Sequence, residues 1–329
     1  MIPYPDRIRR ARLPTPLEPA RRLSHQLGVE LLVKRDDLTG VTLSGNKIRK
    51  LEFLLAEAAA EGADTLITCG GEQSNHCRAT AVVAAELGLR SYLLLRTDNP
   101  KEPPANDANI LLDKLVGAEI RWVSRDEYKR RAQLFVETQG QLLAKARKSY
   151  VIPEGGSNAL GAWGYVACVE ELAHDLGDKP LTIVYAAGSG GTGAGILLGI
   201  KLLGLPWRAV GVNVCDDKEY FVAAIGEIVE QAIARWKLPI QFDRSEIEIL
   251  DGYVGVGYAK SRPEELTTLR DVARAEGLIL DPVYSAKAFH GLRSELLRDP
   301  RAFGERICFI HTGGIFGLFP KARELDALL

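Results

Sequence analysis

Leu43-Ser44-Gly45-Asn46-Lys47-Ile48-Arg49-Lys50-Leu51-Glu52 puts Lys47, Arg49 and Lys50 directly after a turn-forming Ser-Gly-Asn and directly before an apolar-periodic run. The stretch reads as a helix start with the wrong charge. First turns favour Asp and Glu because the helix macrodipole is positive there, so cations at an N-terminus raise the free energy unless an anion or a covalent bond compensates. A bound phosphate would compensate. A lysine held near other cations and partly desolvated also has a lowered pKa, which frees its amine to act as a nucleophile toward a carbonyl. Read alone, three such cations are more often a solvated helix face.

A second stretch changes that balance. Val184 to Ala187 is an apolar strand running into Gly188-Ser189-Gly190-Gly191-Thr192-Gly193-Ala194-Gly195, a glycine-rich turn that opens a helix and can cradle a phosphate with its free amides. A lysine cluster and an anion nest together point to a phosphorylated cofactor that also carries an aldehyde. Gly188-x-Gly190-x-x-Gly193 satisfies the dinucleotide fingerprint too, with Asp216 and Asp217 downstream for a ribose, so an NAD-dependent oxidoreductase is the alternative from another class. The fingerprint follows a complete earlier α/β block, however, and leaves Lys47 without a task. No Gly-Lys-Ser/Thr follows, which excludes a Walker A loop.

At 329 residues with 46% hydrophobic content, the chain is long enough for about two domains and a sizeable core. Its formal net charge of −1 creates no field favouring nucleic acid or an anionic membrane, so a small molecule is the expected partner. Five widely spaced cysteines without a Cys-x-x-Cys pair suggest neither a disulfide framework nor a metal site, and a reducing cytoplasm is expected. No signal pattern opens the chain and no long apolar run suggests a membrane span.

Taken in order, residues 13–17 are expected to be extended or turning, followed by a helix from about Pro19 to Leu27 and a strand from Glu30 to Lys34. Lys34-Arg35-Asp36-Asp37 is either a surface charge pair or a group shaping the site. Regular alternation follows: strand Thr65–Thr68, helix Asn75–Leu87, strand Ser91–Leu95, helix Asn106–Leu115, strand Glu119–Val123, helix Arg125–Ala146 and strand Tyr150–Ile152. Such alternation predicts βαβ units and parallel sheets. After the polar turn Pro153-Glu154-Gly155-Gly156-Ser157-Asn158 and a helix through Leu172, a second series is expected. It comprises strand Thr182–Ala187, helix Gly193–Leu203, strand Arg208–Val214, helices Lys218–Lys237 and Pro263–Glu276, strand Leu278–Asp281, helix Ala286–Leu297 and strand Ile307–His311. The predicted organisation is a larger cofactor-binding domain from residues 1–48 and 161–329, and a smaller α/β domain from 49–160.

Five motifs now stand in order: Ser-Gly-Asn-Lys-Ile-Arg-Lys-Leu-Glu, Gln73-Ser74-Asn75-His76, the Gly-Ser-Gly-Gly-Thr turn, Asp281-Pro282-Val283-Tyr284, and His311-Thr312-Gly313-Gly314. With them the chain resembles the D-cysteine desulfhydrase and 1-aminocyclopropane-1-carboxylate deaminase family over nearly its whole length. That resemblance implies pyridoxal 5'-phosphate as cofactor, the two-domain tryptophan-synthase-β-like fold (fold type II) with mostly parallel sheets flanked by helices, and a homodimer. It assigns Lys47 the Schiff-base role and Lys50 the phosphate contact; exchange of those two roles is the alternative. Gly188, Ser189, Gly190, Gly191 and Thr192 would wrap the phosphate, and Asn75 and Thr312 would contact the cofactor. Ser74, Asn75, His76, Tyr258, Tyr284 and Ser285 would meet an amino-acid substrate, with Lys47, Ser74, Tyr258 and Tyr284 catalytic. Read without the resemblance, Ser74 or Asn75 is simply a helix cap, Cys77 a small core residue, and Tyr253 and Tyr258 loop tyrosines. Ala259 stands where the family frequently has glycine.

Two positions bear on the substrate. In the deaminase branch a glutamate follows the Asp-Pro-Val-Tyr tyrosine and a leucine follows the late histidine; here they are Ser285 and Thr312, the desulfhydrase pattern. A neutral hydroxyl keeps the cofactor ring a weaker electron sink, which suits loss of a good β-leaving group. The expected reaction is α,β-elimination of D-cysteine to pyruvate, sulfide and ammonia. Deamination of 1-aminocyclopropane-1-carboxylate, or cleavage of another β-substituted amino acid such as cysteate, is the alternative.

Overall fold

The structure, a computed structural model, describes residues 2–326. Two mostly parallel sheets organise it. Strand β1 (Leu17–Pro19), helix α1 (Arg21–Leu27) and β2 (Glu30–Lys34) come first, followed by α2 (Lys47–Ala60). The next block alternates: β3 (Thr65–Gly71), α3 (Asn75–Glu86), β4 (Arg90–Arg96), α4 (Ala108–Leu115), β5 (Glu119–Val123), α5 (Arg125–Lys129), α6 (Arg131–Leu143) and β6 (Ser149–Val151). Its four strands form one parallel sheet in the order β5-β4-β3-β6.

The second series runs α7 (Trp163–Leu176), β7 (Leu181–Ala187), α8 (Gly191–Leu203), β8 (Trp207–Asn213), α9 (Lys218–Trp236), β9 (Glu248–Leu250), α10 (Pro263–Glu276), α11 (Ser285–Arg298), β10 (Arg306–Ile310) and α12 (Ala322–Asp326). With β1 and β2 these strands form a six-stranded sheet, β1-β2-β10-β7-β8-β9, parallel except for the β1–β2 pair. The second strand, β2, and the last, β10, thus lie side by side. β7 is apolar and buried along its whole length, as expected of a central parallel strand covered on both faces.

Several boundaries differ from the sequence reading, each for a physical reason. Pro19 closes the edge strand β1 instead of opening α1, and an edge is where a residue without an N–H is tolerated. Residues 278–281 are not a strand. Leu278 and Leu280 are buried while Ile279 is exposed, so the period-2 pattern is real, but the segment joins no ladder and β9 takes the sheet edge instead. The helix expected over Arg125–Ala146 breaks at Arg130 (φ −98°, ψ 27°) and ends at Leu143. Tyr128 and Leu134 both enter a small core with Cys69, Leu94 and Val123. Six residues apart, they would point to different faces of one unbroken helix, and the break lets both turn inward.

Helix α2 is the hinge of the packing. Its Leu51, Phe53 and Leu54 share one core with Trp163, Val166 and Val169 of α7 and with Ile196 and Leu198 of α8, so the helices of the two sheets are packed together. At Gly164 a β-carbon would stand 2.5 Å from the carbonyl carbon and oxygen of Arg49, so only glycine allows α7 this close to α2.

Candidate active site

The carboxyl ends of β3, β7 and β10 and the N-termini of α2, α3 and α8 surround a cavity of about 780 Å³. Strand ends of this kind are where open parallel sheets place ligands. Lys47 is the first residue of α2 and lines the cavity. Its helix has no acidic residue in the first turn and no side-chain cap, because the Asn46 amide instead donates to Thr192 Oγ1 at 3.2 Å. The Asn46 backbone N–H donates to the Thr312 carbonyl at 3.1 Å, and a β-carbon on Gly45 (φ 111°) would meet that same oxygen at 2.9 Å. The lysine-bearing turn is therefore locked onto the loop after β10.

Burial lowers the Lys47 pKa to about 8, against an opposing pull from Asp281 and Glu154. The neighbouring Lys50 is fully buried, and burial, then the charge of Lys47, push its pKa well below the ordinary lysine value. Lys50 Nζ contacts the Gly155 carbonyl at 3.4 Å and Ser157 Oγ at 3.3 Å, with no carboxylate in ion-pair range among the described residues. Ser157 Oγ in turn lies 2.9 Å from Ser189 Oγ and accepts from the Gly191 N–H at 3.3 Å. Lys50, Ser157, Ser189 and the amides opening α8 thus form one cluster of hydrogen-bond donors with no carboxylate among them.

The third cation behaves differently. Arg49 points to the opposite side of α2, where it donates to Asp36 and Glu171. Asp36 also accepts from Tyr165 at 2.7 Å and Thr15 at 2.9 Å. Burial pushes the Asp36 carboxyl up, but the Arg49 guanidinium and these hydrogen bonds hold it below the usual carboxylate range. Of the Lys34–Asp37 quartet, Asp36 thus anchors the lysine-bearing helix from behind.

Ser74 is both cap and wall. Its Oγ accepts from the Cys77 N–H at 3.2 Å at the start of α3, and the residue lines the cavity. Asn75 lines it too, with Oδ1 held by Asn109 at 3.1 Å, which leaves Nδ2 as a donor. His76 is at the wall, but its Nε2 lies 2.8 Å from Thr68 Oγ1, and burial, then Lys47 and Lys50, hold its pKa well below the ordinary value. It is a neutral group near pH 7. Tyr258 and Tyr284 meet with hydroxyls 2.6 Å apart, and Lys47 Nζ stands 5.9 Å from the Tyr284 ring centre. Burial raises the Tyr258 phenol to about 12 and Tyr284 well above its ordinary value, so both stay protonated. Ala259, next to Tyr258, holds φ at 59°, the left-handed conformation that glycine adopts freely.

Gly188, Ser189, Gly190, Thr192 and Thr312 line the cavity, whereas Gly191 and Lys50 sit just behind that wall. Ser285 lies elsewhere. Fully buried at the start of α11, it spends its hydroxyl on Asp281, 2.6 Å away, so the expected substrate contact is not made. Tyr253 is also elsewhere, hydrogen-bonded to Glu295. Cys77 is buried, and burial raises its thiol well above the ordinary value, which leaves no nucleophile. The sequence reading missed Ser157, Asn46, Asp281 and Arg96. For Ser157 a signal existed in the polar turn Gly155-Gly156-Ser157-Asn158, a second glycine-rich turn facing the first.

A pyridoxal phosphate fits these residues. Gly190 opens α8 at φ 85°, and a β-carbon on Gly191 would stand within 2.9 Å of Ser157 atoms, so the cradle requires glycine and keeps its amides clear for a phosphate. The phosphate would supply the anion that Lys50 lacks.

The comparisons agree. A family model described as pyridoxal-phosphate dependent enzyme matches residues 8–313. The bifunctional D-cysteine desulfhydrase/1-aminocyclopropane-1-carboxylate deaminase of Arabidopsis thaliana is 43% identical, over 97% of this chain and 80% of that protein. A D-cysteine desulfhydrase of Klebsiella pneumoniae is 40% identical, over 93% of each. A crystal structure titled as an ACC deaminase homologue superposes with TM-score 0.90 at 38% identity, covering 99% and 97% of the two chains. A tomato threonine deaminase isoform shares the fold at TM-score 0.63 and 19% identity. The dinucleotide alternative falls with these matches, and Asp217 has a structural task instead, capping α9 through the Tyr220 N–H at 2.7 Å.

Proposed function

Because the chain belongs to the family of pyridoxal-phosphate-dependent enzymes, we propose that it is a carbon-sulfur lyase converting D-cysteine and water to pyruvate, hydrogen sulfide and ammonia. Its cofactor is pyridoxal phosphate, held by Lys47, the Gly188–Thr192 turn and the Lys50–Ser157 cluster. When bound, the cofactor withdraws electrons from the substrate's α-carbon. The chain's own residues do the rest. The α3 N-terminus and the 71–75 loop bind the substrate carboxylate. The Lys47 amine, lowered to about 8, takes the α-proton, and the protonated Tyr258–Tyr284 pair, with Ser74 beside the loop, gives and receives protons at the departing group.

One observation carries the choice of substrate: Thr312, a neutral hydroxyl, lines the cavity, while Ser285, at the position of the deaminase branch's glutamate, is turned onto Asp281. A lyase of this kind suits a leaving thiol better than a strained carbon-carbon bond. The relative with both activities in its name favours 1-aminocyclopropane-1-carboxylate as a second substrate. Assays of the holoenzyme decide this: pyruvate and sulfide from D-cysteine at a rate well above that of 2-oxobutanoate from the cyclopropane support the reading, and the reverse order overturns it.

The same proposal includes a homodimer, testable by sedimentation, and a cytoplasmic location. Five unpaired cysteines support a reducing compartment. No helix among the described residues is long and apolar enough to cross a membrane.

A further inference from the structure

Four cations line the outer part of the cavity: Arg96, Arg125, Lys129 and Arg131. Three have acidic partners: Arg125 with Asp98, Lys129 with Asp126, and Arg131 with Glu154. The Arg96 side chain has no ion pair and no hydrogen bond among the described residues. It is the last residue of β4, paired in register with Gly71, the glycine that begins the loop before α3. Its guanidinium stacks between two phenols, 4.8 Å from the Tyr128 ring centre and 5.3 Å from that of Tyr258. A β-carbon placed on Gly71 would stand 3.7 Å from the Tyr258 hydroxyl and 3.8 Å from the Arg96 Nη2, so the cation and the phenol border the same point of the cavity wall.

An arginine held by stacking keeps its N–H edge free for an anion, and its planar fork suits oxygen or sulfur anions. Asp98, two residues on, is engaged by Arg125, Glu72 beside Gly71 by Thr97, and Glu154 by Arg131. The 71–75 loop and α3 N-terminus already account for a substrate carboxylate, which leaves Arg96 for a second negative charge. We propose that Arg96 receives the negative charge of the group leaving the substrate's β-carbon. The inference rests on the lyase reading above. In that reaction the Cβ–S bond breaks, its electron pair goes to sulfur, and the thiol departs as hydrosulfide; the α-proton has passed to Lys47 and no oxidant or reductant enters. The guanidinium offsets the charge as it forms, and the Tyr258 hydroxyl beside it donates a hydrogen bond to the departing sulfur without giving up its proton.

Calorimetric titration of the holoenzyme with 3-sulfopropanoate tests this without turnover, since that ligand carries a carboxylate and a second anion but no amine. Arg96→Gln is expected to weaken it about tenfold or more, the usual scale for a lost charged hydrogen bond, with Arg96→Lys intermediate and propanoate unchanged. Turnover gives a second reading: Arg96→Gln slows D-cysteine more than β-chloro-D-alanine, whose chloride leaves without help. Equal weakening of both ligands and equal slowing of both substrates would make Arg96 only a support for Tyr258 and overturn the proposal, as would unchanged sulfonate binding. A wild-type enzyme inert toward D-cysteine would defeat the lyase reading, while the sulfonate titration would still decide the Arg96 subsite.

Discussion

Lys47 meets two constraints at once: a helix N-terminus that disfavours cations and a wall that removes water. Both favour the neutral, nucleophilic form, against the pull of Asp281 and Glu154. In cofactor-free protein, reaction of pyridoxal phosphate with Lys47 should therefore accelerate as pH rises through about 8 and level off above it. Stopped-flow absorbance reads this directly; a rate still climbing near pH 10 would mean an ordinary, solvated lysine. The basic cluster at Lys47 and Lys50 and the helix cap at Ser74 are legible in the sequence because charge and cap chemistry are local, whereas Asn75 and Thr312 came to the site only through the family resemblance. Ser157 was not legible, since its partner lies far along the chain: Lys50 is 107 residues from Ser157. Ser285 misled although its partner is local: Asp281, four positions back, claims its hydroxyl and turns it from the cavity.

At the scale of elements, α2 is fixed by its contact with α7 and by the Arg49–Asp36–Glu171 network. Gly164→Ala would press a methyl group against the Arg49 carbonyl and should cost about 1–3 kcal/mol in urea denaturation, the range for overpacking, together with weaker cofactor retention. A loss below about 0.5 kcal/mol would show that the two helices can separate freely. Arg49→Met, which leaves the buried Asp36 carboxylate without its cation while Glu171 keeps Lys34, should cost about 3–5 kcal/mol. If Arg49→Met left stability unchanged, the network would not be what anchors the helix. Alternation of apolar strands and amphipathic helices made most elements legible. Periodicity failed at residues 278–281, where alternate burial occurs without a neighbouring strand, and across residues 125–143, where no letter marks the break that turns both Tyr128 and Leu134 inward.

Across the whole molecule, the largest core joins helices of both sheets, from Phe53 and Leu54 to Trp163 and Leu198. Strands could be assigned to two sheets from their order, but sharing of a core between them depends on side chains distant in sequence. Such a core predicts one cooperative unfolding transition for the holoprotein, with calorimetric and van't Hoff enthalpies in agreement; two separated transitions would mean that the sheets unfold independently. The same packing sets the lysine-bearing end of α2 against the phosphate cradle of α8. The most direct test of that arrangement is to reduce the holoenzyme with borohydride, digest it and sequence the peptide that retains the cofactor by mass spectrometry. The label is expected on Lys47 alone and absent from Lys47→Ala; a label on Lys50, or none on either lysine, would contradict the account of the site.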